Sequence, residues 1–114
     1  MIWIANLGAL LTLFLGCLGL LFPKQISRVL GISPLSTLGV SELRATYGGF
    51  FLSLGAGCLA TQSEKVFLVA GCGWCGAAIA RLLSVAIDNS RSRENIVGFC
   101  IEATIGLLML SAIV

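Results

Sequence analysis

The sequence predicts an all-α integral membrane protein, a single domain over residues 1–114 in which four transmembrane helices run up-down-up-down with both termini outside. Three observations predict it. Hydrophobic residues make up 58% of the 114 and charged residues only 11%, about half the charged share of an ordinary soluble domain. Four apolar runs come close to the roughly 20 residues that a helix needs to cross a hydrocarbon core. None of them alternates apolar and polar residues, as a barrel strand would over about ten positions.

The first run, "MIWIANLGALLTLFLGCLGLLF", carries no charge. A cleavable secretory signal starts basic and ends at a small-residue site. This run starts apolar and ends in Phe22-Pro23-Lys24, so it is read as a retained helix. In the loop "PKQISRVLGISPLS", Ile26, Val29 and Leu30 fall at i, i+3 and i+4, with Lys24, Gln25, Ser27 and Arg28 opposite. That pattern suits a short helix in the headgroup region, and a solvated basic loop equally well. Gly31 is placed to end such a helix and Ser33-Pro34 to cap the next. The second span is expected over residues 36–61. The third, over 66–87, follows the polar turn "TQSEK", and the fourth, over 96–114, follows "DNSRSREN". Neither connection is long enough to hold a substrate domain.

Orientation follows from the basic residues. Of seven, Lys24, Arg28, Arg44, Arg81, Arg91 and Arg93 fall near one end of the expected helices and only Lys65 near the other, which puts the first end in the cytoplasm. The same six are scattered over loops and helices rather than gathered into a patch, so no nucleic acid is expected.

Charges inside the spans are the feature that composition does not explain. Arg81 lies six residues before residue 87 and Glu102 six after residue 96, so each is about 9 Å inside its helix end at 1.5 Å per residue. Glu42 approaches the same layer from the second span. Gly98, Glu102 and Gly106 form a four-residue ladder, as do Gly73, Ala77 and Arg81, and Ala45, Thr46, Gly49, Ser53, Ala56 and Gly57 gather near Glu42. Small residues on one stripe let membrane helices approach closely, so all three charges are expected to face neighbouring helices. An isolated ionised group at mid-bilayer costs about 2.5–3.5 kcal/mol on insertion scales and therefore pairs or lines a polar cavity. The expectation is that Glu42 and Glu102 flank Arg81. Arg44 points away from Glu42 and is placed to snorkel. Asp88, on the face of Arg81, reads as a helix-end charge or as a gate. The cluster serves either to fix helix register or as a functional polar site, and two acids around one arginine leave a carboxylate to carry a proton.

"GCGWCG" sets Cys72 and Cys75 in a CxxC spacing, with Cys58 near the same end. A redox pair is one reading. Simple packing of a small apolar residue is the other. With no histidine, a histidine-ligated haem, a Ser-His-Asp triad and a histidine-containing zinc site are all excluded. No metal site and no cofactor are expected.

The stretches "SELRATYGGFFLSLGAG", "AIARLLSVAID" and "IEATIG" resemble a family of small bacterial four-helix membrane proteins catalogued as domain of unknown function 4345. The resemblance covers nearly the whole chain and is most specific at Glu42, Arg44, Tyr47, Gly48 and Gly49. It implies a four-helix bundle in a bacterial inner membrane and prominence for Glu42, Arg44, Arg81 and Glu102, but no activity. The small multidrug transporters are similar in length, yet they carry a glutamate in the first helix, where this chain has no charge. The expected role is noncatalytic: contact between membrane helices, as a homo-oligomer or an accessory subunit among membrane lipids. Two alternatives stand beside it, a proton-linked transporter or channel for a small solute or lipid, and a thiol oxidoreductase.

Overall fold

The computed structural model describes residues 2–114, and every element in them is helical. Helix α1 (Ile2–Leu21) is followed by α2 (Pro23–Leu30), α3 (Thr37–Leu43), a π-helical segment (Arg44–Phe50), α4 (Phe51–Thr61), α5 (Glu64–Ile87) and α6 (Arg93–Leu110), with a closing 3₁₀ turn at Ser111–Ile113. Three of these stretches, Ile2–Leu21, Glu64–Ile87 and Arg93–Ile113, are long and apolar enough to cross a membrane.

The ends of the helices have local causes. Pro23 opens α2, where its missing N–H costs nothing. Gly31 closes α2 in the left-handed conformation, φ 73°; its N–H donates to the Arg28 carbonyl and the Ile32 N–H to the Ser27 carbonyl. The cap of α3 is Ser36, whose Oγ accepts from the Gly39 amide at 3.3 Å. Ser33 and Pro34, expected in that role, lie in the preceding loop. Ser92 caps α6 in the same way through the Asn95 amide.

Helix α1 stands in the middle. Its buried positions, Ala5, Gly8, Ala9, Thr12, Gly16 and Gly19, recur every three or four residues and form a face of small side chains on which other backbones can lie. The run from Thr37 to Thr61 packs on one side of α1, α6 on the other, and α5 lies along α6. The resulting layer measures 40 × 32 × 16 Å.

The run 37–61 is helical throughout, but in its middle the hydrogen bonds step from i→i+4 to i→i+5. The segment presses into α1: a Cβ on Gly19 would sit 2.0 Å from the carbonyl oxygen of Tyr47, and one on Gly48 would sit 2.7 Å from the Leu20 amide nitrogen. Only glycine on both sides permits this approach. The extra residue in the turn also rotates α4 by about 100° relative to an uninterrupted helix.

That rotation corrects the expected faces. Gly48, Gly55 and Cys58 are buried, whereas Ala45, Thr46, Ser53 and Ala56 are exposed or half-exposed, and Gly49 and Gly57 face essentially open space. On α5 the packed positions are Phe67, Ala70, Gly71, Trp74 and Ala78, while Gly73 points outward. The main apolar core, built on Ala5, Ala9, Cys58, Phe67, Ile105 and Met109, lies toward the α4–α5 turn. Arg81 and Glu102 lie toward the opposite end, under α2.

Candidate functional site

Arg81 and Glu102 meet between α5 and α6, with Nε donating to Oε1 at 2.6 Å. It is the only ion pair among the described residues. Glu102 is 13% exposed and Arg81 27%, so the pair is largely withdrawn from the surface. The guanidinium lies over Gly98, where a Cβ would come within 2.8 Å of Cζ. Its Nη1 donates to Asn95 Oδ1 at 3.0 Å, and Asn95 Nδ2 in turn donates to the Ser90 carbonyl at 2.8 Å. The loop between α5 and α6 is thereby tied to the pair, which fixes the guanidinium plane.

Glu42 is not part of this arrangement. It is exposed, has no ion-pair partner among the described residues, and lines a separate surface groove of ≈ 540 Å³ with Ser36, Thr46 and the loop before α3. The reason is tertiary: α2 packs between α3 and α6 and occupies the place from which Glu42 was expected to reach Arg81. Arg44 likewise stays away, donating to the Leu20 carbonyl at the end of α1, where a cation meets orphan carbonyls and the negative end of the helix dipole. Asp88 ends α5 and accepts from Ser84 Oγ at 2.7 Å, a helix-end role. Cys72 is exposed and Cys75 half-buried, with Cys75 filling the space over Gly106.

Beside the ion pair is a cavity of ≈ 120 Å³. Leu15 of α1, Leu30 of α2, Tyr47 of the π segment, Trp74 and Arg81 of α5 and Glu102 of α6 all line it. The amphipathic helix α2 covers it through Ile26, Val29 and Leu30. Phe51 packs against Trp74 with centroids 4.7 Å apart and planes tilted by 43°, and meets Tyr47 edge to face at 5.8 Å, which gives the cavity an aromatic wall. Trp74 is 6% exposed, and its Nε1 is the one buried side-chain polar atom without a partner among the described residues.

Asn95 and Trp74 are the members that sequence reasoning missed. Each carried a signal: Asn95 precedes Glu102 by seven residues and Trp74 precedes Arg81 by seven, two helical turns along the same face.

Fold and site together define an all-helical protein of membrane composition, with three membrane-length helices and an ion pair set between two of them. The chain belongs to the family described as Domain of unknown function (DUF4345), whose model matches residues 1–113. No curated protein and no solved structure matches the chain.

Proposed function

We propose that the protein is a four-helix transmembrane domain of the bacterial inner membrane, up-down-up-down with both termini outside, that receives a small membrane-soluble solute beside Arg81 and Glu102. The run from Thr37 to Thr61 supplies the fourth span, since it continues unbroken through the π segment. The observation that carries the reading is the cavity against the pair. A pair that only fixed register would be sealed by packing, whereas this one borders a space with aromatic walls and an amphipathic cover. Mostly apolar walls with a few convergent polar groups are the usual make-up of a small-molecule site, and ionisable groups inside a membrane domain mark solute or proton paths. Binding and movement of the solute need no catalytic residue, so the role is noncatalytic.

The test is native mass spectrometry of the protein released from its own membrane. A discrete small-molecule adduct is expected, and Leu15→Phe, which fills the cavity, is expected to remove it. Adduct-free wild-type protein, or an adduct that survives the filling, refutes the proposal.

A second reading rests on a different observation. A Cβ added at Gly57, Gly73 or Gly76 would meet nothing within 4 Å, so internal packing does not require these glycines, and they leave smooth faces on α4 and α5 for another helix. That supports contact with a second copy or a larger membrane complex. Cross-linking in native membranes that yields only monomers counts against it.

A further inference from the structure

We infer that the outer groove between the loop ends of α5 and α6 is a binding site for an anionic phospholipid, its phosphate held by Arg81 and Arg91 and an acyl chain lying along the apolar walls. The groove is separate from the cavity of the solute reading and shares only Arg81 with it.

The groove has a volume of ≈ 390 Å³ and is lined by Arg81, Leu82 and Val85 of α5, Arg91 of the connecting loop, and Asn95 and Phe99 of α6. Both helices are long and apolar enough to cross a membrane, and Leu82 and its neighbour across the groove, Ile96, are about half exposed. In a bilayer such a groove opens onto lipid.

Charge decides the sign of the occupant. Arg91 is exposed and has no partner among the described residues. Arg81 gives Nε to Glu102 and Nη1 to Asn95, which leaves three of a guanidinium's five N–H groups unspent. Glu102 offsets the charge of Arg81, but it lines the inner cavity and not this groove. The other nearby acids are engaged elsewhere: Asp88 accepts from Ser84 Oγ, and the Glu94 side chain lies against Gly31 of α2. No carboxylate lines the groove. A phosphate therefore meets one uncompensated cation and a second guanidinium with N–H groups to give, the pairing that guanidinium geometry suits best. The ammonium of a zwitterionic headgroup finds no counter-charge there, so the lipid is net negative.

Depth decides that the anion belongs to an amphiphile. Arg91 is in the loop, and Asn95, which holds the Arg81 guanidinium at 3.0 Å, is in the first turn of α6. The polar groups therefore gather at the loop end, where the N-terminal end of the α6 dipole also favours an anion. Leu82 and Phe99 lie five and six residues inside their helices, about 7–9 Å deeper at 1.5 Å per residue. A soluble anion uses only the polar end. A phospholipid uses both, and basic pockets between membrane helices are places where acidic lipid headgroups bind.

The experiment uses the full chain, delipidated in mild detergent, with binding read by native mass spectrometry. Phosphatidylglycerol and phosphatidylcholine carrying the same oleoyl chains are titrated in turn. Phosphatidylglycerol is expected to bind one per chain and about fivefold more tightly or better, the factor that one basic group near a membrane surface contributes. Arg91→Gln, an exposed loop change that leaves the ion pair intact, is expected to remove most of that preference. Lys24→Gln deletes the same charge at the same end from a residue that does not line the groove, and is expected to leave the preference in place. Leu15→Phe fills the inner cavity and is expected to leave it too. Inorganic phosphate and oleate are each expected to bind more weakly than phosphatidylglycerol. Equal affinity for the two lipids, no effect of Arg91→Gln, or an equal effect of Lys24→Gln overturns the site. Loss of the preference in Leu15→Phe overturns its location, since the lipid then occupies the inner cavity. Inorganic phosphate or oleate bound as tightly as phosphatidylglycerol overturns the phospholipid. The solute site is tested separately, by the small adduct that Leu15→Phe removes.

Discussion

Breaking the Arg81–Glu102 pair from one side is the sharpest test of the site. Glu102→Leu leaves the guanidinium with its bond to Asn95 and no counter-ion. Removing one partner of a fully buried pair costs about 3–5 kcal/mol. Here Arg81 keeps 27% exposure and one hydrogen bond, which brings the expected cost to about 2 kcal/mol. Arg81→Met leaves the carboxylate stranded in the same way and costs about as much. In the double variant Arg81→Met/Glu102→Leu both charges are gone, and apolar side chains of similar volume often replace a buried pair with little loss; about 1 kcal/mol is expected. The cycle then gives a coupling of about 3 kcal/mol between the two positions. Reversible unfolding in mixed micelles, driven by a denaturing detergent and followed by far-ultraviolet circular dichroism, measures it. A double variant that loses the plain sum of the two single losses refutes the argument, because the two charges then do not stabilise one another in the folded state.

Gly19→Ala puts a Cβ 2.0 Å from the Tyr47 carbonyl oxygen and is expected to cost about 3 kcal/mol or more as α1 and the π segment are forced apart. Gly73→Ala meets nothing within 4 Å and is expected to add about 0.5–1 kcal/mol through helix propensity; the same titration reads both. Ser36→Ala removes the cap of α3 and is expected to cost about 1 kcal/mol, with faster amide exchange at Gly39. In a chain whose five native cysteines are replaced by alanine, Ser63→Cys is expected to react with an impermeant maleimide from outside intact cells and Ser90→Cys to stay unlabelled. The reverse pattern inverts the orientation.

Sequence reading was strongest along the chain and weakest around it. The ends of α1 and α5 fall within two residues of where the apolar runs place them, because loss of hydrophobicity, Pro23, the polar turn TQSEK and Asp88 mark those ends. The matching depth of Arg81 and Glu102 came from counting residues at a fixed rise, and the two side chains do meet. Which side of a helix faces inward was less legible. A soluble helix announces its buried face by contrast with a polar one, but the walls of these helices are apolar on nearly every side. Small-residue stripes were the only available guide, and on Thr37–Thr61 and α5 part of each stripe faces outward.

By itself, then, the amino-acid sequence determined an apolar, wholly helical chain, the approximate limits of its long helices, and the depth of its two interior charges, since each depends on local composition and a constant rise per residue. The tertiary structure alone decided that α2 stands where Glu42 was expected, that a π turn rotates the second long run, and that Trp74 is left with an unanswered N–H beside a cavity. Those outcomes depend on how backbones fit against each other, at Gly19 against Tyr47 above all, and close fit between distant segments has no periodicity from which to read it.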